Sequence, residues 1–167
     1  AMIWEYGVSP EPEEPRVDPY AGNTISLEPM TVINYAGESP FNAPRDIAMA
    51  ADGSLFVADS RNHRIVHLDA QGVFLNAFGS YGNVMDGETP GGLLNEPWGV
   101  TVGPDGNVYV ADTWNHRIQV FTPDGEFLRM WNVFDVNGLP NGFWGPRGIA
   151  VDQAGRVFVT DTGKQRV

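Results

Sequence analysis

Residues 94–131 read LNEPWGVTVGPDGNVYVADTWNHRIQVFTPDGEFLRMW. A proline precedes the first short apolar run, and glycine-containing turns separate later runs that are rich in β-branched and aromatic residues. Proline suits the first residue of a strand, such turns join the strands of hairpins, and β-branched and aromatic side chains fit a pleated sheet. The stretch therefore predicts four short antiparallel strands in a meander.

This pattern is repeated along the chain. An anchor proline and the aspartate that ends the second predicted strand each recur at intervals of 53 and 49 residues; the anchors are Pro44, Pro97, Pro146, Asp59, Asp112 and Asp161. A repeated unit of four strands is typical of the blades of a β-propeller. The predicted fold class is therefore all-β, with an incomplete arc of four-stranded antiparallel blades.

The repeats divide the chain into five regions. We expect an acidic, proline-rich linker or strap, then strands resembling the outer strand of a blade, two repeats each followed by a loop, and a truncated third repeat; these are residues 1–23, 24–40, 41–93, 94–142 and 143–167. An arc of blades leaves apolar faces that need cover. Further blades of a longer parent chain, or other copies, would supply it, and the abrupt stop inside the third repeat favours the longer parent.

Composition excludes several classes of protein. The net charge is −11, of which residues 1–40 carry −6, and binding to phosphate backbones relies on clustered Lys and Arg, so nucleic acid is not an expected partner. The chain has no Cys and hence no thiolate metal site or disulfide. No stretch approaches the roughly 18 apolar residues of a membrane span. The compartment stays open, with an extracytoplasmic or cell-surface location favoured.

The repeated motif closely resembles the NHL repeat. Each repeat has a Pro before an Ile/Val-rich strand, a Gly turn, and a strand ending in Asp, and the first two carry Asn62-His63-Arg64 and Asn115-His116-Arg117. The resemblance covers about two and a half repeats and implies a propeller whose parent ring has six blades. The third repeat departs with Gly163-Lys164-Gln165-Arg166, so its turn is expected to be stabilised differently. The first departs with Asp46, where the others have Gly99 and Gly148.

Residues that recur between repeats are interpreted as scaffold. Short Asp and Asn side chains accept hydrogen bonds from nearby backbone N–H groups and tolerate unusual φ angles, while His and Arg can tie the turn to a neighbouring strand or blade. On separate blades, the two histidines would lie too far apart to share a metal. The structural-turn residues are Asp59, Asn62, His63, Asp112, Asn115, His116 and Asp161.

Positions at which the repeats disagree are better candidates for binding. They enter the innermost strand near the central channel, where propellers usually bind ligands, although packing at the rim is an alternative. These candidates are Arg45, Trp98, Arg147, Asn42, Asn95 and Trp144, and Arg61 and Trp114 are weaker candidates for an exposed contact surface.

The resemblance implies three functions. The first is a non-catalytic scaffold that binds a protein or a glycan, as part of a larger and possibly membrane-attached protein. The alternative is a metal-dependent lyase or a lactonase-like enzyme, the only case that would need Ca²⁺ or Zn²⁺. RNA binding, as in some animal NHL proteins, is opposed by the net charge. No catalytic constellation is recognisable, and the acidic loops offer too few oxygens for Ca²⁺; their residues are Asp86, Glu88, Asp135 and Asn137.

Overall fold

The structure is a computed structural model that describes residues 32–87 and 89–167. The predicted linker at 1–23, residues 24–31 and Glu88 lie outside the described residues. The first described element is a small hairpin of β1 (Tyr35–Ala36) and β2 (Ser39–Pro40), which pair with each other. The prediction that residues 24–40 supply the outer strand of a blade stays a prediction.

Two complete blades follow the hairpin, as the sequence predicts. The first has the strand order β3-β4-β5-β6, and all its pairs are antiparallel; its strands are Pro44–Met49, Leu55–Asp59, Arg64–Leu68 and Phe74–Phe78. A short parallel pair, β7 (Ser80–Tyr81) and β8 (Leu93–Leu94), lies in the loop after this blade. The second blade is β9 to β12, with strands Pro97–Val102, Val108–Asp112, Arg117–Phe121 and Phe127–Trp131.

The third repeat contributes two paired strands. A hairpin of β13 (Val133–Val136) and β14 (Leu139–Gly142) precedes them. The inner strand β15 (Pro146–Val151) then pairs with β16 (Val157–Asp161). Each second strand leads into a 3₁₀ turn, and a fourth such turn lies in the loop before β8; the four are Ser60–Asn62, Thr113–Asn115, Thr162–Lys164 and Val84–Asp86. None of the described helical segments is long and apolar enough to cross a membrane.

The main core lies between the first two blades. Alternate residues of the second and third strands point to this interface, because successive side chains of a strand face opposite sides of the sheet. The buried cluster contains Phe56, Ala58, Ile65, Phe78, Leu94, Val100, Val108, Val110 and Phe121. A second cluster covers the other face of the first blade, where Ile33, Ala36 and Phe41 pack on Val57 and Val66. Residues 33–41 therefore cover an apolar face of the first blade that was expected to be open.

The inner strands of neighbouring blades approach closely. A Cβ atom on Gly99 of β9 would collide with the carbonyl oxygen of Arg147 on β15, so only glycine fits there. In the first blade the corresponding residue is Asp46, and its Oδ2 atom accepts a hydrogen bond from the Val100 N–H at 2.9 Å. The departure from glycine at Asp46 thus provides a bond between blades.

Candidate functional site

One residue near the start of each inner strand is a β-bulge. In the second blade Pro97 pairs with Asp112 and Gly99 pairs with Ala111, which leaves Trp98 without a partner in the ladder. A bulge inserts one extra residue and redirects its side chain, and bulges are frequent beside functional sites. The equivalent unpaired residues of the other two repeats are Arg45 and Arg147.

The three bulge residues form a stack. The guanidinium carbon of Arg45 lies 3.7 Å from the centroid of the Trp98 ring, and that of Arg147 lies 4.2 Å from it. Because β9 contacts β3 on one side and β15 on the other, the two guanidinium groups approach Trp98 from opposite sides, and their carbons are no more than about 8 Å apart. Three candidate residues, one from each repeat, are therefore brought together; we call them the Arg–Trp–Arg stack.

The two arginines of the stack differ from those of the scaffold. Arg64, Arg117 and Arg166 each pair with the aspartate that ends the second strand of their repeat. Among residues 32–87 and 89–167, no carboxylate oxygen lies within 4.0 Å of the guanidinium of Arg45 or Arg147, and neither side chain donates a hydrogen bond. Both side chains are exposed, whereas Trp98 is half-buried. The outer edges of both guanidinium groups are thus open to a ligand.

The remaining three binding candidates make backbone hydrogen bonds to the turns of their own repeats. The N–H groups of Asn42, Asn95 and Trp144 donate to Asp59, Asp112 and Asp161 at 2.7–2.8 Å. Their carbonyl oxygens accept from the N–H groups of the turns at Arg61, Trp114 and Gly163. This backbone use has no signature in the side chains, which explains why sequence reasoning missed it. The Trp144 side chain is 59% exposed.

Asp112 is the most heavily bonded of the turn residues. Its Oδ2 atom accepts from Asn115 Nδ2, Arg117 Nε and Gln119 Nε2, while Oδ1 accepts from the Asn95 N–H. Burial raises the pKa of Asp112, against the opposing effect of these hydrogen bonds. In the first repeat, Asp59 Oδ2 accepts from Asn62 and Arg64 in the same way. The carboxylate therefore joins the start of its blade to the turn.

The histidines of the turns link neighbouring blades. Nδ1 of His63 accepts from the Glu96 N–H at 3.1 Å, and Nδ1 of His116 accepts from the Gly145 N–H at 3.0 Å. His116 also stacks on Trp144 with ring centroids 4.5 Å apart. Both histidines have a left-handed backbone conformation with φ of 54°. The unusual φ angle expected at the Asn or Asp therefore occurs at the His. Within the described part of the chain, no three His, Cys, Asp or Glu are grouped to hold a metal.

The third turn resembles the other two more than the sequence predicts. Gln165 takes the left-handed conformation of the two histidines, with φ of 54°, and Arg166 pairs with Asp161 at 2.8 Å. The expectation of a differently stabilised turn is therefore wrong for the backbone and the ion pair. The difference is confined to the side-chain hydrogen bonds of the Asn and the His, because Lys164 and Gln165 take their places in the third repeat.

Hydroxyl groups make a further link that sequence reasoning missed. Ser60 Oγ donates to the Pro97 carbonyl oxygen, and Thr113 Oγ1 donates to that of Pro146 at 2.8 Å. The signal was present, because every repeat has Ser or Thr directly after its anchor aspartate. Ser60 and Thr113 therefore tie the first two turns to the inner strand of the following repeat.

The other singled-out loop residues lie in turns. Asp135 Oδ1 accepts from the Gly138 N–H, and Asn137 is left-handed with φ of 54°. Asp86 approaches the Tyr81 hydroxyl at 3.5 Å. Trp114 is 47% exposed in the turn after β10, which the strand register places beside the start of β9. Trp114 thus lies at the same end of its blade as Trp98.

Comparisons with known proteins agree with this architecture. The sequence matches the NHL repeat at residues 41–68, 94–121 and 143–167. It is 30% identical over 131 residues to Protein brain tumor of Drosophila melanogaster, and 35% identical over 130 residues to B-box type zinc finger protein ncl-1 of Caenorhabditis elegans. Each alignment covers 78% of this chain but only 12% and 14% of those relatives.

Solved structures share the fold at low sequence identity. A gluconolactonase from Xanthomonas campestris superposes with a TM-score of 0.55 at 20% identity, over 77% of this chain and 44% of that chain. Hydrazine synthase from Kuenenia stuttgartiensis superposes with a TM-score of 0.51 at 17% identity, over 85% and 38%. Because these identities are low, the likeness concerns the fold alone. The three matched repeats, the blades that they form and the two relatives show that this chain belongs to the NHL-repeat family of β-propeller proteins.

Proposed function

We propose that this chain is a non-catalytic binding module that recognises a protein partner through the Arg–Trp–Arg stack. The observation that carries the proposal is the convergence of three bulge residues, one from each repeat, into one stack. Their neighbours in sequence serve the scaffold through backbone hydrogen bonds, whereas the two arginines have no carboxylate partner among the described residues. Arg and Trp are also the residue types that dominate binding energy at protein interfaces.

Exposed aromatic residues extend this surface. Trp114 and Trp144 are 47% and 59% exposed, although the backbone of each is held by scaffold hydrogen bonds. An exposed Trp on a rigid backbone loses little conformational entropy on binding. Binding to a glycan, which also stacks on aromatic rings, is the competing outcome that the test must separate from binding to a protein.

The proposal includes a setting in a larger protein. In the two relatives named above, the matched region occupies a small part of a much longer chain. Further blades, or other copies, would cover the apolar groove beside β16, which is lined by Ile118, Trp131, Phe134, Phe143 and Phe158. An extracytoplasmic or membrane-attached location belongs to the same proposal and is tested by fractionating cells that express the full-length protein.

The enzyme alternative makes different demands. A metal-dependent lyase or a lactonase-like enzyme needs metal ligands that converge near the axis, and Arg and Trp, the residues in the stack, are not metal ligands. The fold likeness to a gluconolactonase does not extend to function, because one propeller fold supports many functions.

The test compares ligands of both classes on the purified 167-residue chain. A displayed random-peptide library and a glycan array are screened with the wild type and with the double variant Trp98→Ala/Arg147→Ala, and Trp98→Phe provides a milder second variant. The proposal expects peptide ligands whose binding is lost in the double variant and weakened in Trp98→Phe. Glycan ligands alone, or a lactonase or lyase activity that is lost on chelation, would overturn it.

A further inference from the structure

We infer that the Arg–Trp–Arg stack recognises an extended acidic peptide segment that has two carboxylates on alternate residues. This inference rests on the proposed function, since it specifies the chemistry of the partner that the stack binds. It is carried by the hydrogen-bonding edges of the two guanidinium groups and by the distance between them.

The orientation of each arginine leaves its donors available. A guanidinium that lies over an aromatic ring keeps its N–H groups in its own plane, directed away from the ring. This planar fork matches a carboxylate with two parallel hydrogen bonds. Trp98 contacts both groups, at 3.7 Å and 4.2 Å from its centroid, and this contact restricts the side chains of Arg45 and Arg147 before a ligand arrives.

The distance between the two arginines determines which spacing of carboxylates in a peptide can pair with both. The two guanidinium carbons approach Trp98 from opposite sides and lie no more than about 8 Å apart. Side chains on alternate residues of an extended peptide point to the same side and lie about 6.6–6.8 Å apart. Two Glu side chains at positions i and i+2 can therefore reach one arginine each, whereas adjacent residues point to opposite sides.

The surroundings favour a short acidic segment over a long polyanion. A nucleic acid carries a charge at every nucleotide and binds along a track of basic residues. Here the stack has two bases, and acidic residues flank it in the sequence: Asp46 follows Arg45, and Glu96 lies two residues before Trp98. Residues 41–167 carry a net charge of −5. A peptide with two carboxylates pairs with both arginines and needs no further base.

The test is an NMR titration of the full chain with blocked peptides. The Nε–Hε resonances of Arg45 and Arg147 are followed during addition of peptides with the core Glu-Ala-Glu, Gln-Ala-Gln or Ala-Glu-Glu. We expect both resonances to shift with Glu-Ala-Glu. Ala-Glu-Glu should bind roughly tenfold more weakly, since it loses one charge-assisted pair, and Gln-Ala-Gln, which loses both, should bind more weakly still. Equal affinity for all three peptides would overturn the inference.

Matched variants identify the groups that respond. Arg45→Gln and Arg147→Gln should each weaken Glu-Ala-Glu binding roughly tenfold. Arg45→Lys, which keeps the charge but loses the fork, should fall in between. Arg156→Gln, an exposed arginine in the turn between β15 and β16 at the other end of these strands, is the control and should bind as the wild type does.

Two further outcomes separate this inference from the proposed function. Tighter binding of a single-stranded oligouridylate at the same resonances would show that the ligand class is wrong. Library peptides that need Trp98 but lack alternate acidic residues would overturn the inference while leaving the proposed binding function in place. If no peptide binds in a way that depends on Trp98, both the inference and the proposed binding function are overturned.

Discussion

The Oδ2 atom of Asp112 lies 2.7 Å from the Nε atom of Arg117, and both side chains are buried. The carboxylate also holds the backbone N–H of Asn95, so a single residue joins the inner strand, the turn and the third strand of the second blade. Equivalent pairs, Arg64 with Asp59 and Arg166 with Asp161, occur in the other two repeats.

Removing the charge of Asp112 should strongly destabilise the protein. In Asp112→Asn the guanidinium of Arg117 stays buried without a counter-charge, which typically costs about 3–5 kcal/mol. The free energy of unfolding in urea measures the effect. Asp152→Asn breaks an exposed pair with Arg156 and serves as the control, with a midpoint close to that of the wild type. A small effect of Asp112→Asn would mean that water replaces the lost partner.

His116→Gln should loosen the contact between the second and third repeats. Gln already adopts the same left-handed conformation at position 165, so the backbone of the turn is expected to persist. The variant loses the Nδ1 acceptor for the Gly145 N–H and the ring that stacks on Trp144. We expect a loss of about 1 kcal/mol and faster hydrogen exchange at the Gly145 amide. An unchanged exchange rate there would contradict the role given to His116.

Gly99→Ala should force two inner strands apart. The added methyl group would meet the carbonyl oxygen of Arg147, and overpacking of this kind costs about 1–3 kcal/mol. Gly142→Ala is the matched control, because a Cβ there meets the Asn132 carbonyl oxygen at an ordinary contact distance of 3.4 Å. Thermal unfolding of both variants checks the prediction. Equal midpoints would show that the strands separate without cost.

His67 should make the stability of the protein depend on pH. Burial lowers the pKa of this imidazole, which stacks on Phe56 with centroids 4.1 Å apart, while Asp52 and Asp124 oppose the shift. The unfolded chain therefore binds more protons below its ordinary pKa of 6.5, so stability is complete above pH 6.5 and declines as the pH falls through the folded value.

The variant His67→Phe isolates this effect. Phe keeps the stack on Phe56 but does not titrate, so the slope of unfolding free energy against pH just below 6.5 should decrease relative to the wild type. Urea unfolding at a series of pH values gives the slope. If both proteins have the same slope, a group other than His67 causes the pH dependence of stability.

The blades could be predicted from the sequence because their determinants are local. Each strand has its own apolar alternation, each turn its own glycine, and Pro97 and Asp112 mark the same points as their equivalents in the other repeats. Local patterns of this kind determine strands and hairpins before any long-range contact forms. The all-β fold and the four-stranded blades are accordingly confirmed.

The stack could be predicted only in part. Alignment of the repeats singled out Arg45, Trp98 and Arg147, but it did not indicate that they touch, since the contact depends on a bulge in each inner strand. The bonds from His63 and His116 to the next blade join residues that are far apart in sequence and depend on Nδ1 acting as acceptor. Such long-range geometry has no periodic signature in a single sequence.

The affinity of library-selected peptides for Arg45→Gln/Arg147→Gln, compared with the wild type, decides whether the two arginines of the stack bind the partner. The double variant removes both guanidinium groups and leaves Trp98 and the scaffold pairs intact, and its unfolding free energy should fall by no more than about 2 kcal/mol. If the stack is the binding surface, peptides selected on the wild type should bind this folded variant at least roughly tenfold more weakly. Unchanged affinity in the folded variant would show that the Arg–Trp–Arg stack is not the binding surface.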